Sequence, residues 1–129
     1  MGLRDEAEKL ISDQRAAAAE ADRRYRDQML SGVPDAIRRW CRDALDVDAP
    51  ESYEVLRDGE SGYDTTRWYA VEVEFQLEDI LFAGSVTAYN GSSYGSLEAV
   101  RVKKPGGSPG PIVTSKQTLA YALEFHARY

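Results

Sequence analysis

Residues 67–78 read "RWYAVEVEFQLE". Tyr69, Val71, Val73, Phe75 and Leu77 alternate with Trp68, Ala70, Glu72, Glu74 and Gln76. A period of two is that of a β-strand, whose successive side chains leave opposite faces. One face is apolar and needs a core; the other is at least partly wet. Antiparallel sheets have that character, whereas parallel sheets are covered on both sides.

The neighbouring sequence extends the sheet in both directions. "YEVLRDG" (53–59) predicts a short strand ending in a Gly/Ser/Asp turn. "ILFAGSVTAY" (80–89) is a strand apolar on both faces, with Gly84 marking a bulge or a close backbone approach. "NGSSYGS" (90–96) is a hairpin loop and "LEAVRVKK" (97–104) the returning strand. Four successive strands predict an antiparallel meander.

Helices flank it. Leu3, Ala7, Leu10, Gln14, Ala17 and Ala21 recur at spacings of four and three, with Ile11, Ala18 and Tyr25 beside them. The spacing predicts one helix to about Leu30, roughly 40 Å long. Ser31-Gly32 and Pro34 stop it, glycine as a left-handed cap and proline as the opening of the next helix. Its stripe is mostly alanine, so the helix either lies along its own domain or projects as an arm for weak self-association. A second helix is expected over about 35–45, burying Ile37, Trp40, Cys41, Ala44 and Leu45. The last begins near Thr114, where "TSKQ" fits a capping box, and presents Leu119, Ala122, Leu123 and His126 to the sheet. The expected class is α+β: residues 1–32 a long amphipathic helix, and 33–129 a compact domain with the C-terminal helix packed on the sheet.

Composition narrows function by exclusion. The chain of 129 residues carries 22 acidic and 16 basic residues, a net charge of −6 that disfavours nucleic acid and anionic membrane. The excess is concentrated in 51–79, which holds nine acids and two bases. No apolar run spans a bilayer, and the N-terminal acids argue against a signal peptide, so a cytoplasmic location is expected. One cysteine excludes an internal disulfide framework. "KKPGGSPGPIVTSK" (103–116) has a phosphate cradle's composition, but it lacks Gly-Lys-Ser/Thr and its prolines remove N–H donors. It reads as a connector. His126 reads as a packed or terminus-capping residue, and a Cys41–His126 nucleophile pair has no orienting third group. No cofactor or metal signature occurs.

The wet sheet face remains. Trp68, Glu72 and Glu74 should share it with Ser85, Thr87 and Tyr89, and Leu97, Ala99 and Arg101 are candidates from the last strand. Tyr63 and Tyr94 would extend it at the strand ends. Aromatics and arginine among charges characterise binding hot spots; the competing arrangement places the first two helices over this face. The expected function is a non-catalytic module, of an adaptor, inhibitor, immunity or mobile-element accessory kind, meeting a basic protein surface through Trp68, Glu72, Glu74, Tyr89, Tyr94 and Arg101. The alternatives are a small-ligand or nucleotide pocket between sheet and helices, and an enzyme of unrecognised class.

Overall fold

The computed structural model describes residues 2–63, 66–89, 95–104, 106–107 and 109–128, with side chains at 61–63, 66–67 and 89 left aside. Helix α1 spans Leu3–Ser31 and α2 Val33–Trp40, the latter running on into a π-helical turn at Cys41–Leu45. Strands β1 (Tyr53–Tyr63), β2 (Thr66–Leu77), β3 (Ile80–Tyr89) and β4 (Ser96–Val102) follow, then α3 (Lys116–Arg128). The sheet order is β1-β2-β3-β4 with every pairing antiparallel, the expected meander.

Local chemistry explains most boundaries. Gly32 separates α1 from α2 with φ −83°, so it does not adopt the expected left-handed cap. Pro34 has no N–H to give Leu30, and that missing bond is sufficient to break one helix into two. The π turn ends on Asp46 at φ 53°, where the N–H groups of Asp46 and Val47 close back on the carbonyls of Arg42 and Cys41. The α3 cap lies one residue later than expected. Ser115 Oγ accepts the Thr118 N–H, and Thr118 Oγ1 accepts the N–H groups of Thr114 and Ser115. β1 runs beyond Gly59 to Tyr63, whose backbone pairs with Thr66 at the start of β2.

One face of the sheet carries the core. Tyr69, Val71, Val73 and Phe75 of β2 meet Phe82, Val86 and Ala88 of β3 and Leu97, Val100 and Val102 of β4, all buried. Ile37, Cys41 and Leu45 of the stripe expected of the second helix close over them, joined by Val33 and Ala36, while Trp40 and Ala44 are half-buried. Trp40 stands edge-on to Phe75 and Phe82, whose rings stack with centroids 5.5 Å apart. α3 joins at the β4 end through buried Ala122 and half-buried Leu119, leaving Tyr121 and Leu123 exposed.

Two bulges set the phase of the outer strands. Between Val55 and Arg57 the β1 register slips by one residue, at Leu56. On β4, Ala99 takes φ 53° opposite Gly84, where a Cβ would stand 3.0 Å from Val100 Cγ2 and 3.2 Å from the Glu98 carbonyl oxygen. That close approach is what the glycine in β3 supplies.

α1 touches the domain only at its C-terminal end. Every residue from 3 to 24 is exposed, and burial starts with Tyr25 and Met29. Residues 3–24 of α1 are therefore not buried against the sheet or the other helices.

Candidate functional site

The register assembles the second sheet face. Trp68 lies opposite Tyr89, Ala70 opposite Thr87, Glu72 opposite Ser85 and Glu74 opposite Ala83. β1 adds Glu54 and Arg57, and β4 adds Glu98 and Arg101. No described residue of this face is buried, whereas ten sheet residues on the other face are. α1 and α2 do not cover it: both pack on the core side. Arg101 joins the face as expected, but Leu97 does not. The bulge at Ala99 turns Leu97 toward Val86 and into the core, and Ala99 itself is the strained bulge residue. The Tyr89 backbone occupies the expected register position, while Tyr94 lies outside the described residues.

The charges on this face are mostly spoken for. Arg57 Nη2 donates to Glu72 Oε1 at 2.6 Å, and Lys103 Nζ donates to Glu74 Oε2. The Glu74 side chain is only 14 % exposed, so its partner is held close over it. Arg101 Nη1 donates to the Gly110 carbonyl. Sequence reasoning found both glutamates but neither base, since the Leu56 bulge decides which β1 residue lies opposite Glu72. The unneutralised acids of 51–79 are displaced to one end of the sheet. Glu51, Glu54, Glu78 and Asp79 are exposed there without a charged partner among the described residues.

A second polar cluster fixes the root of α1. Arg26 Nε and Nη2 donate to the two Asp58 carboxylate oxygens at 2.8 and 3.2 Å, and the Tyr69 hydroxyl donates to Oδ2. The Tyr25 ring meets Tyr69 edge-on at 5.7 Å. Hydrogen bonds from Arg26 and then Tyr69 hold the Asp58 carboxyl below the usual carboxylate range. Burial first, then the bond to Asp58, pushes Tyr69 up to about 12.

The signs define a pH window. A depressed carboxyl contributes stability above its unfolded value and loses it as pH falls through the folded one. A raised phenol contributes below its unfolded value, about 10, and loses it as pH rises through about 12. Asp58→Asn is therefore expected to flatten the fall in unfolding free energy below about pH 4; urea titrations at pH 2–7 on both proteins check this. An acid limb of unchanged slope would show that the anchor contributes nothing.

The remaining chemistry is quiet. Cys41 has no exposed surface, and burial pushes its thiol up to about 11, which leaves almost no thiolate at neutral pH. His126 Nε2 bonds the Val102 carbonyl at 2.9 Å, and Lys104 Nζ caps the His126 carbonyl. This is the packed role expected of it. The 103–116 segment connects, as expected: Val113 N–H donates to the Val100 carbonyl and Ile112 bridges to Arg101 along the outer edge of β4. A groove of about 450 Å³ lies between α2 and β4, lined by Trp40, Asp43, Leu97, Ala99 and Ile112. Among the described residues, neither Arg101 nor any tyrosine lines it. Among the described residues no group of three or more His, Cys, Asp or Glu is placed to hold a metal ion, and no helix is long and apolar enough to cross a membrane. Comparison with family models, with curated proteins and with solved structures finds no match to this chain.

Proposed function

We propose that the protein is a non-catalytic binding module whose open sheet face docks a protein partner with a basic surface. The observation that supports this is the uncovered face itself, a four-stranded surface with Trp68 at one end and unneutralised acids at the other. Glu72 and Glu74, satisfied by Arg57 and Lys103, serve as flat, water-excluding contact area. Attraction comes from Glu51, Glu54, Glu78 and Asp79, and the aromatic anchor from Trp68, which lies opposite Tyr89 in the register. Charges at a rim act chiefly on the rate of encounter, whereas a desolvated aromatic acts on the lifetime of the complex. An adaptor, inhibitor or accessory protein of the cytoplasm fits this description. The exposed arm gives the module a separate surface, suited to weak self-association.

The two halves of this reading separate experimentally. A protein captured from an extract of the native host is compared on the wild-type chain, on Glu54→Lys with Glu78→Lys, and on Trp68→Ala. The double charge reversal is expected to slow association about tenfold at low salt and to flatten its salt dependence. Trp68→Ala is expected to speed dissociation about tenfold or more. Equal rates for all three proteins would overturn the proposal.

A further inference from the structure

The arm's sequence is complementary to itself when reversed. At about 100° per residue, Leu3, Ala7, Leu10, Ile11, Gln14, Ala17, Ala18 and Ala21 fall within about a third of the helix circumference. The same stripe continues into Tyr25 and Met29, which pack on the domain. One helix face is thus covered at its root and bare along 3–24, where Leu3 is 85 %, Leu10 62 % and Ile11 48 % exposed. Its bulk is unevenly divided. The outer half carries Leu3, Leu10 and Ile11; the inner half carries only alanines at Ala17, Ala18 and Ala21.

We infer that the arm pairs with the arm of a second copy, antiparallel, with Gln14 opposite Gln14. In that register Leu10 faces Ala18, Ile11 faces Ala17, and Ala7 faces Ala21 of the other chain. Leu3 comes level with Tyr25, where the bare stripe gives way to the packed one. The bulky Leu10 and Ile11 of each arm thus meet Ala18 and Ala17 of the other, so the helix axes keep one spacing around the central glutamines. A parallel pair would set leucine on leucine at one end and alanine on alanine at the other, and the helices would splay. The central glutamines, each both donor and acceptor, bond each other and fix the register, as a single polar core residue does in coiled coils.

Charge gives the same direction. Residues 3–13 hold four acids (Asp5, Glu6, Glu8, Asp13) against two bases, and residues 15–24, short of the Arg26 tied to Asp58, hold three bases (Arg15, Arg23, Arg24) against two acids. Antiparallel pairing sets the acidic half of each arm on the basic half of the other. Flanking the stripe, Arg4 comes beside Asp22 of the second chain on one side and Glu6 beside Arg24 on the other. The intrahelical pairs Arg4–Glu8 and Arg24–Glu20 are highly exposed and yield at little cost.

An interface this small is weak: light scattering is expected to give the mass of one chain at ~1 µM and approach two at ~300 µM. Leu10→Glu with Ala18→Glu, at exposed positions, should hold the full-length protein at one chain across that range with an unchanged melting temperature. Arg4→Glu and Asp22→Arg should each weaken pairing, and together restore it. Direction is read by oxidation. A chain with Ala7→Cys should cross-link to a chain with Ala21→Cys but not to itself, with Cys41 silent because it is buried. One-chain mass at every concentration would overturn the inference. So would a dimer that survives Leu10→Glu with Ala18→Glu, or self-cross-linking by Ala7→Cys alone. The inference does not rest on the sheet-face reading: Glu54→Lys with Glu78→Lys should leave this dimer intact.

Discussion

Phe82→Ala is expected to lower the unfolding free energy by about 3–5 kcal/mol, the largest single effect in the molecule. Phe82 has no exposed surface, stacks on Phe75 and receives the edge of Trp40 at 5.6 Å. Its removal takes away the transfer free energy of a whole ring and leaves a cavity between a β-sheet and a helix. Strand pairing on both sides of β3 prevents the backbone from closing in, so relaxation is slight and the cavity cost stays. Domains of this size are stable by only about 5–15 kcal/mol, so the substitution removes a large share of the total. Urea denaturation should show a lower midpoint at constant slope, and the thermal midpoint should fall by about 10–20 °C. A loss under ~1 kcal/mol would mean that the Trp40–Phe75–Phe82 cluster is not the centre of the core.

Gly95→Ala is expected to cost about 2–3 kcal/mol, although it adds a single methyl group. A Cβ at this position would stand 2.7 Å from Val86 Cγ1 and 2.8 Å from the Thr87 carbonyl oxygen. The side chain can rotate away, but the carbonyl oxygen belongs to the sheet and cannot. The Gly95 carbonyl also accepts a hydrogen bond from Arg39 Nη2 at 2.9 Å, so moving the β4 entry strains the tie to α2. Gly59→Ala is the matched control. A Cβ at Gly59 meets nothing within 4 Å, and alanine there should be neutral or stabilising by a few tenths of a kcal/mol. Equal melting temperatures for the two variants would refute the steric argument.

Much of this architecture is legible in the residues, for identifiable reasons. Tyr69 to Leu77 alternates without interruption, so β2 and its core face follow from the pattern alone. Ile37, Cys41 and Leu45 are large enough at helical spacing to declare a buried stripe. α1 is legible as a helix but not in its position, because a stripe of alanines packs or projects with little difference in buried area. β4 lost its phase at Ala99: a non-glycine residue at positive φ gives no local sign of a bulge, and Gly84 marks the site only from the opposite strand. On the face itself, Trp68, Glu72 and Glu74 followed from alternation. Their partners Arg57 and Lys103 depend on cross-strand register, which single-strand periodicity does not contain. The α3 cap shifted by one because Thr114 and Ser115 both carry hydroxyls, and Thr118 is the residue that returns the bond.

The bulge at Leu56 also protects the protein from its own kind. β1 is an edge strand of 11 residues with Tyr53, Val55 and Leu56 exposed, a template on which stray chains could stack. An extra residue a third of the way along denies a regular strand its ladder, and the exposed Glu54 sets like charge against any second β1 edge. The same Glu54 that would draw a basic partner therefore helps to keep concentrated solutions clear, and a variant that removed it would trade solubility for whatever affinity it gained.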